Sequence, residues 1–270
     1  MRIITWNMRR AKEHSEAWLI LDQLDPDIVL LQEVSSIPDK YYKNYDIRFH
    51  KAISKIGNLQ KFGTAILVKG KITSELPLIS EFDWVNEQLE LFKGNFVSCI
   101  AKLDGIESLN LVSIYSPAWP VKHNTSVVKD VSGVIIDSRS RIWATELIWS
   151  ALKNMVKLDQ SWIVGGDYNS SETFDKVWQD KNNVKYGIHG KGNVEIINRM
   201  YDLGFTECLR GYDGKITPTF KHSSGRVDHQ LDHLYVSNNM YKQLVKSCTI
   251  LDKNIFEHSL SDHLPIMADF

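Results

Sequence analysis

Ile28-Val29-Leu30-Leu31 is apolar without a break and then stops on Gln32-Glu33. A run this short with no polar position suits a β-strand covered on both faces, so its polar end must emerge at the edge of a sheet. The same arrangement, residues able to bind a metal or move a proton set against an apolar run, occurs at six places: Trp6-Asn7-Met8-Arg9, Gln32-Glu33-Val34, Ile114-Tyr115-Ser116-Pro117, Gly165-Gly166-Asp167-Tyr168-Asn169-Ser170, Gln230-Leu231-Asp232-His233 and Ser261-Asp262-His263-Leu264-Pro265. Asn7, Glu33, Tyr115 and Asp167 come at the C-terminal ends of their apolar runs. Asp232 and His263 come at the starts of Leu234 to Val236 and Leu264 to Phe270. If those last two strands run antiparallel to the others, all six blocks gather at one edge.

Between the blocks, helices and strands alternate irregularly. A helix is expected from Ser15 as N-cap through Ala17, Ile20, Leu21 and Leu24 to Pro26, which cannot continue it. Strands are expected at Gly63 to Val68, Phe96 to Leu103, Leu109 to Tyr115 and Trp162 to Gly165. A longer helix should run from about Ser138 to Val156, its apolar face formed by Ala144, Leu147, Ile148, Ala151, Leu152 and Met155. Gly204 should close a third helix that starts near Asn193. A simple doubly wound sheet fits this order poorly, and two packed sheets with helices outside fit it better. Loops rich in polar, glycine or basic residues are expected at Trp119 to Gly133, Asp175 to Gly192 and Lys221 to Asp228.

At 270 residues the chain suits one large α/β domain, 1–270, because the first and last blocks must share a site. No apolar stretch approaches the roughly 20 residues that span a bilayer, and Met1 leads straight into the first core strand, so a cytoplasmic protein with no membrane association, and a monomer, is expected. Cys99, Cys208 and Cys248 are widely spaced with no zinc-like pairing, which suits reduced structural thiols. A net charge of −1 lacks the basic signature of a tight non-specific DNA binder. Charge is uneven along the chain, however. From Ile47 to Ser74 there are Arg48, Lys51, Lys55, Lys61, Lys69 and Lys71 and no acidic residue.

The six blocks, in this order over residues 3 to 270, resemble the endonuclease/exonuclease/phosphatase superfamily, the fold of DNase I and exonuclease III. The resemblance implies a four-layer αββα sandwich with the active site across the tops of two sheets, and a metal-dependent phosphoester hydrolase. It implies Mg²⁺, with Mn²⁺ able to substitute, held by Glu33 with help from Asn7 and Asp262. It assigns Asp167 to orienting or deprotonating the attacking water and Asn169 to the phosphate or that water. Asp232 would fix His263 in the cationic form that donates to a phosphoryl oxygen. Each residue has a plainer reading beside this one. Glu33 can be a first exposed residue after a strand, Asp167 and Asn169 turn formers, Asn7 a strand-ending Asn, and Tyr115 a core aromatic instead of a donor to the leaving oxygen. His14, His50 and His258 have no block around them and read as surface residues.

Substrate choice is written less clearly. The basic 47 to 74 stretch with Lys51, Lys55 and Lys61, the pair Arg9-Arg10 and the loop aromatics Trp119, Trp178 and Tyr186 point toward nucleic acid as substrate, with a solvated face the alternative for the basic residues and core packing that for the aromatics. Ala118 after Pro117, and Lys221-His222 after Phe220, depart from the pattern of abasic-site endonucleases. Small phosphoesters such as nucleotides or inositol phosphates would use the same catalytic core. A catalytically inactive binding protein on this fold is the remaining alternative, opposed by the intact Glu33, Asp167, Asn169, Asp232 and His263.

Overall fold

The computed structural model describes residues 1–121, 130–179, 192–251 and 254–270. In chain order the elements are β1 (Arg2–Ala11), α1 (Ala17–Leu24), β2 (Ile28–Val34), α2 (Tyr41–Asn44), β3 (Asp46–Ile53), β4 (Leu59–Val68), β5 (Lys71–Glu75), α3 (Asp83–Leu91), β6 (Phe96–Leu103) and β7 (Ile106–Tyr115). They continue with α4 (Ala144–Met155), β8 (Trp162–Asp167), α5 (Glu172–Gln179), α6 (Asn193–Asp202), β9 (Phe205–Glu207), α7 (Cys208–Asp213), β10 (Asp232–Ser237), α8 (Asn238–Leu244), β11 (Ser247–Ile250), α9 (Asn254–Glu257) and β12 (Ile266–Asp269).

The strands form two six-stranded mixed sheets, ordered β11-β12-β1-β2-β4-β3 and β5-β6-β7-β8-β10-β9. Period-two alternation divides each apolar strand between two cores. Ile28 and Leu30 of β2 face the core between the sheets with Ile66, Leu111, Ile163 and Leu234, while Val29 and Leu31 face outward onto Trp18 and Leu21 of α1. On the second sheet Ile163 turns inward, whereas Trp162 and Val164 meet Leu147, Ile148 and Ala151 of α4. The result is the four-layer αββα sandwich of DNase I-like proteins.

Direction along the strands decides where the polar ends go. β1 and β2 are parallel, as are β7 and β8. β12 runs antiparallel to β1, and β10 antiparallel to β8, with Asp232 opposite Asp167. The late strands therefore begin where the early ones end.

Several element boundaries differ from the sequence expectation. Ser15 is not the N-cap of α1, since its hydroxyl accepts the Lys12 N–H at 2.9 Å and the helix starts at Ala17. The second long helix starts at Ala144, not Ser138. The Glu146 carboxylate turns back to accept the N–H groups of Trp143 (2.8 Å) and Ile136 (2.6 Å), and pairs with Arg139 at 3.2 Å, which fixes 136–143 as a turn. The first residues of the expected 175–192 loop belong to α5, whereas 180–191, with Tyr186, lie outside the described residues, as do 122–129 of the 119–133 loop. Cys99, Cys208 and Cys248 are buried free thiols. No described helix is long and apolar enough to cross a membrane.

Candidate active site

Asp167 ends β8, and three groups hold its carboxylate. The Asn7 amide donates to Oδ2 at 3.0 Å from the end of β1, the Asn169 amide donates to the same oxygen at 3.1 Å, and the Asn169 backbone N–H donates to Oδ1 at 2.8 Å. That last bond makes Asp167 to Asn169 an Asx-type turn, with Asn169 at φ 46°, so a turn and not extended backbone brings the two side chains together. Gly166 makes the strand exit geometrically possible. Its φ is +146°, and a Cβ there would lie 2.0 Å from the Ile114 carbonyl oxygen of β7.

Facing Asp167, His263 places Nε2 4.0 Å from its Oδ2, while Nδ1 is 2.8 Å from Asp232 Oδ2. Three further residues lock this pair, of which only Ser261 stands in one of the six blocks. Thr219 donates its hydroxyl to Asp232 Oδ2 at 2.7 Å and accepts the Asp232 N–H at 3.1 Å. Ser261 accepts the His263 N–H at 3.0 Å and donates to the Asn7 carbonyl at 2.7 Å, tying the last block to the first. Phe220 packs its ring 4.9 Å from the imidazole. Thr219 and Phe220 carry no local signal in sequence, because their roles arise only when distant segments meet, whereas Ser261 stands in the last block, two residues before the His263 whose N–H it accepts.

Electrostatics follow from this burial. Burial lowers the pKa of His263, but Asp232 and Asp167 outweigh it and the imidazole is raised to about 10, so it is cationic at neutral pH. Burial likewise raises Asp167 to about 7, against the lowering effect of His263. Burial, then the carboxylates of Glu33 and Asp167, push the Tyr115 phenol up. A protonated phenol and a protonated imidazole thus both border Asp167.

Backbone strain is concentrated here. Among the described residues six non-glycine residues have left-handed φ, and four of them, Arg9, Arg10, Glu33 and Asn169, lie on this edge. Such conformations cost on the order of 1–3 kcal/mol each and persist where surrounding contacts over-determine them, commonly at functional sites. The pairing of β1 with β2 shifts register between Asn7 and Ala11, and that of β2 with β4 between Leu31 and Val34, which swings Glu33 and the two arginines out of the sheet.

The remaining candidate residues divide by position. Glu33 is largely buried and lies 3.6 Å from Arg10; Asp262 is half-exposed and lies 3.9 Å from Arg9. Trp119 packs against Phe92, with ring centroids 5.8 Å apart, on the core under α4, the position of a packing residue. Trp178 falls within α5. The basic stretch is not one face. Arg48 pairs with Glu75 and Lys69 with Asp25, whereas Lys51, Lys55 and Lys61 are exposed on the β3–β4 hairpin, whose Gly63 lies opposite Val34 at the site end of β2. His14, His50 and His258 are exposed.

The ligand atoms of Asp167, Asp232 and His263 lie within 4.8 Å of one another, so this group could hold a metal ion. Asp232 Oδ1 is buried without a protein partner, an acceptor with capacity left over. The carboxylate oxygens of Asp167 and Asp232 are the donor type that suits a hard divalent cation, and Glu33 shares with Asp167 an influence on Tyr115.

Two layers of helix around two mixed sheets, with an Asp-His pair and a carboxylate edge across their tops, define a phosphoesterase-type scaffold. The chain belongs to the endonuclease/exonuclease/phosphatase family, whose family model matches residues 4–263. No curated protein sequence matches it. Solved structures do. An AP endonuclease from Archaeoglobus fulgidus superposes with TM-score 0.68 at 18% identity, covering 100% of this chain and 99% of that one. The 3′ phosphatase NExo from Neisseria, bound to a product DNA hairpin, gives TM-score 0.65 at 18% identity over 100% and 99%. The catalytic domain of Xenopus laevis APE2 gives 0.64 at 16% over 99% and 91%. At these identities the likeness shows the shared fold.

Proposed function

We propose that this chain is a Mg²⁺-dependent phosphodiesterase that cleaves nucleic acid. The observation that carries the reading is the opposition of Asp167, clamped by Asn7 and Asn169, to His263, clamped by Asp232, across 4.0 Å at one sheet edge. Asp167, raised toward neutrality, is suited to take a proton from the attacking water. His263, held cationic, is suited to donate to a phosphoryl oxygen as negative charge grows there. Asn169 orients Asp167 through two hydrogen bonds and anchors itself by donating to the Ser116 carbonyl at 2.8 Å. Tyr115, kept protonated, supplies a further donor beside Glu33. Glu33 would be the principal ligand of the cation, with Asn7 and Asp262 bordering it; Mn²⁺ would substitute. The cation, when bound, neutralises charge on the phosphoryl oxygens.

Nucleic acid is favoured over small phosphoesters by Lys51, Lys55 and Lys61, which lie exposed on a hairpin leading to the site edge, where an extended polyanion would pass. The structure of the NExo phosphatase with bound DNA supports this choice by analogy of fold. The test offers purified protein with Mg²⁺ to single- and double-stranded DNA, RNA, inositol phosphates and bis(p-nitrophenyl) phosphate. Preferential cleavage of DNA or RNA supports the reading. Turnover of inositol phosphates without cleavage of either polymer replaces it with a small-molecule phosphatase.

A further inference from the structure

Arg10 occupies a position that neither the fold nor the Asp-His machinery requires. It sits in β1 with φ 62°, directly after Arg9 at φ 45°, so two consecutive residues adopt a conformation that side chains disfavour. The Ser35 hydroxyl donates to its carbonyl at 3.0 Å and holds it there. Its guanidinium then lies over the ring of Phe62, 5.1 Å from the centroid, and Phe62 in turn packs edge-on against Tyr115 at 5.7 Å. From that perch Nε is 3.6 Å from Glu33 Oε2, although the Arg10 side chain is 69% exposed and Glu33 only 18%. A strained backbone, an aromatic seat and a largely solvent-facing fork all aim one cation at the carboxylate proposed to bind another.

We infer that Arg10 is a resident counter-ion of Glu33 that a divalent cation displaces, and that the displaced guanidinium, still seated on Phe62, binds a phosphate oxygen of the incoming diester. This rests on the phosphodiesterase reading of the same site. A cation at Glu33 repels a guanidinium at this range, while the exposed fork has the donor geometry for phosphate. Metal loading and substrate capture are thereby linked. Arg10 opposes the first and assists the second, so its removal should move the two affinities in opposite directions, an outcome that a merely structural role would not give.

The test uses the full chain. Mn²⁺ binding is measured by titration calorimetry without substrate, and kinetics on bis(p-nitrophenyl) phosphate at saturating Mn²⁺. Removing an exposed ion-pair partner in Arg10→Ala should tighten Mn²⁺ about two- to fivefold. The same variant should raise KM about tenfold with kcat within about twofold, the pattern of lost uniform binding. Arg10→Lys, which keeps the charge and loses the fork, should bind Mn²⁺ like the parent yet retain a raised KM. Unchanged or weaker Mn²⁺ binding by Arg10→Ala overturns the counter-ion assignment, and an unchanged KM overturns the phosphate contact. If the parent hydrolyses no diester, the functional reading fails, whereas the calorimetry still decides the counter-ion.

Discussion

Each nitrogen of the His263 imidazole faces a different buried carboxylate, Asp232 on one side and Asp167 on the other. Replacing His263 by Ala, or Asp167 by Asn, should lower kcat by about 100-fold or more on every accepted substrate, the scale of losing a major transition-state group. Retained turnover in a folded His263→Ala protein would remove the imidazole from the chemistry. Behind the site, Glu207 accepts the Arg210 N–H at 2.6 Å and the Gln230 amide at 3.2 Å, and stands 4.0 Å from His233 Nδ1. Burial raises Glu207 from 4.5 to about 7 and lowers His233 from 6.5 to about 4. Glu207 therefore binds more proton in the folded state, and its share of stability, full below pH 4.5, is lost as pH rises through about 7. His233 does the reverse, its share being full above 6.5 and lost as pH falls through about 4, so the two slopes oppose. In Glu207→Gln only the His233 slope remains, and urea unfolding should show the variant gaining on the parent steadily from pH 4.5 to 7. A difference that is constant with pH would mean Glu207 titrates as it does in the unfolded chain.

Strand ends deliver these residues, and one glycine controls the most crowded of them. Gly166→Ala would set a Cβ against the Ile114 carbonyl at φ +146°. Backbone strain and overpacking together should cost roughly 2–5 kcal/mol. Chemical denaturation measures this directly, and a loss below about 0.5 kcal/mol would mean β7 and β8 separate at little cost. The β3–β4 hairpin makes a different prediction. Reversing Lys51, Lys55 and Lys61 to Glu should weaken nucleic-acid substrates, flatten their salt dependence and spare bis(p-nitrophenyl) phosphate. Identical salt profiles on DNA and RNA for parent and variant would reduce the hairpin to a solvated surface. The strands that carry the site were readable in sequence because burial on both faces leaves an unbroken apolar run, as in Ile28 to Leu31. β3 and β5 were not. As sheet edges they have one unpaired flank, and Arg48, Lys51 and Lys71 make them read as a charge run. The helix start at Ala144 was hidden because its signal is Glu146 reaching back to Trp143 and Ile136, a contact made by the folded turn.

Across the whole molecule, antiparallel β10 and β12 return residues from the C-terminal part of the chain to the edge where β1, β2, β7 and β8 end. That convergence was legible as a condition, that the last two strands run antiparallel to the others, and the family resemblance implied that the condition holds. The supports Thr219, Phe220 and Phe62 were not legible, because each acts on a residue from a distant segment. Trp119 shows the converse, an aromatic beside a site block that the fold places against Phe92 in the core. Convergence on one edge has a chemical purpose only if the carboxylates there carry a cation that works with the Asp-His pair. The deciding measurement is hydrolysis of bis(p-nitrophenyl) phosphate and of DNA by chelator-treated protein before and after Mg²⁺ is restored, for the parent and for Glu33→Gln. We expect no turnover without metal, full recovery with Mg²⁺ in the parent, and impaired recovery with weakened metal binding in Glu33→Gln. Undiminished hydrolysis by metal-free protein, or a Glu33→Gln variant that binds metal and turns over like the parent, would contradict it.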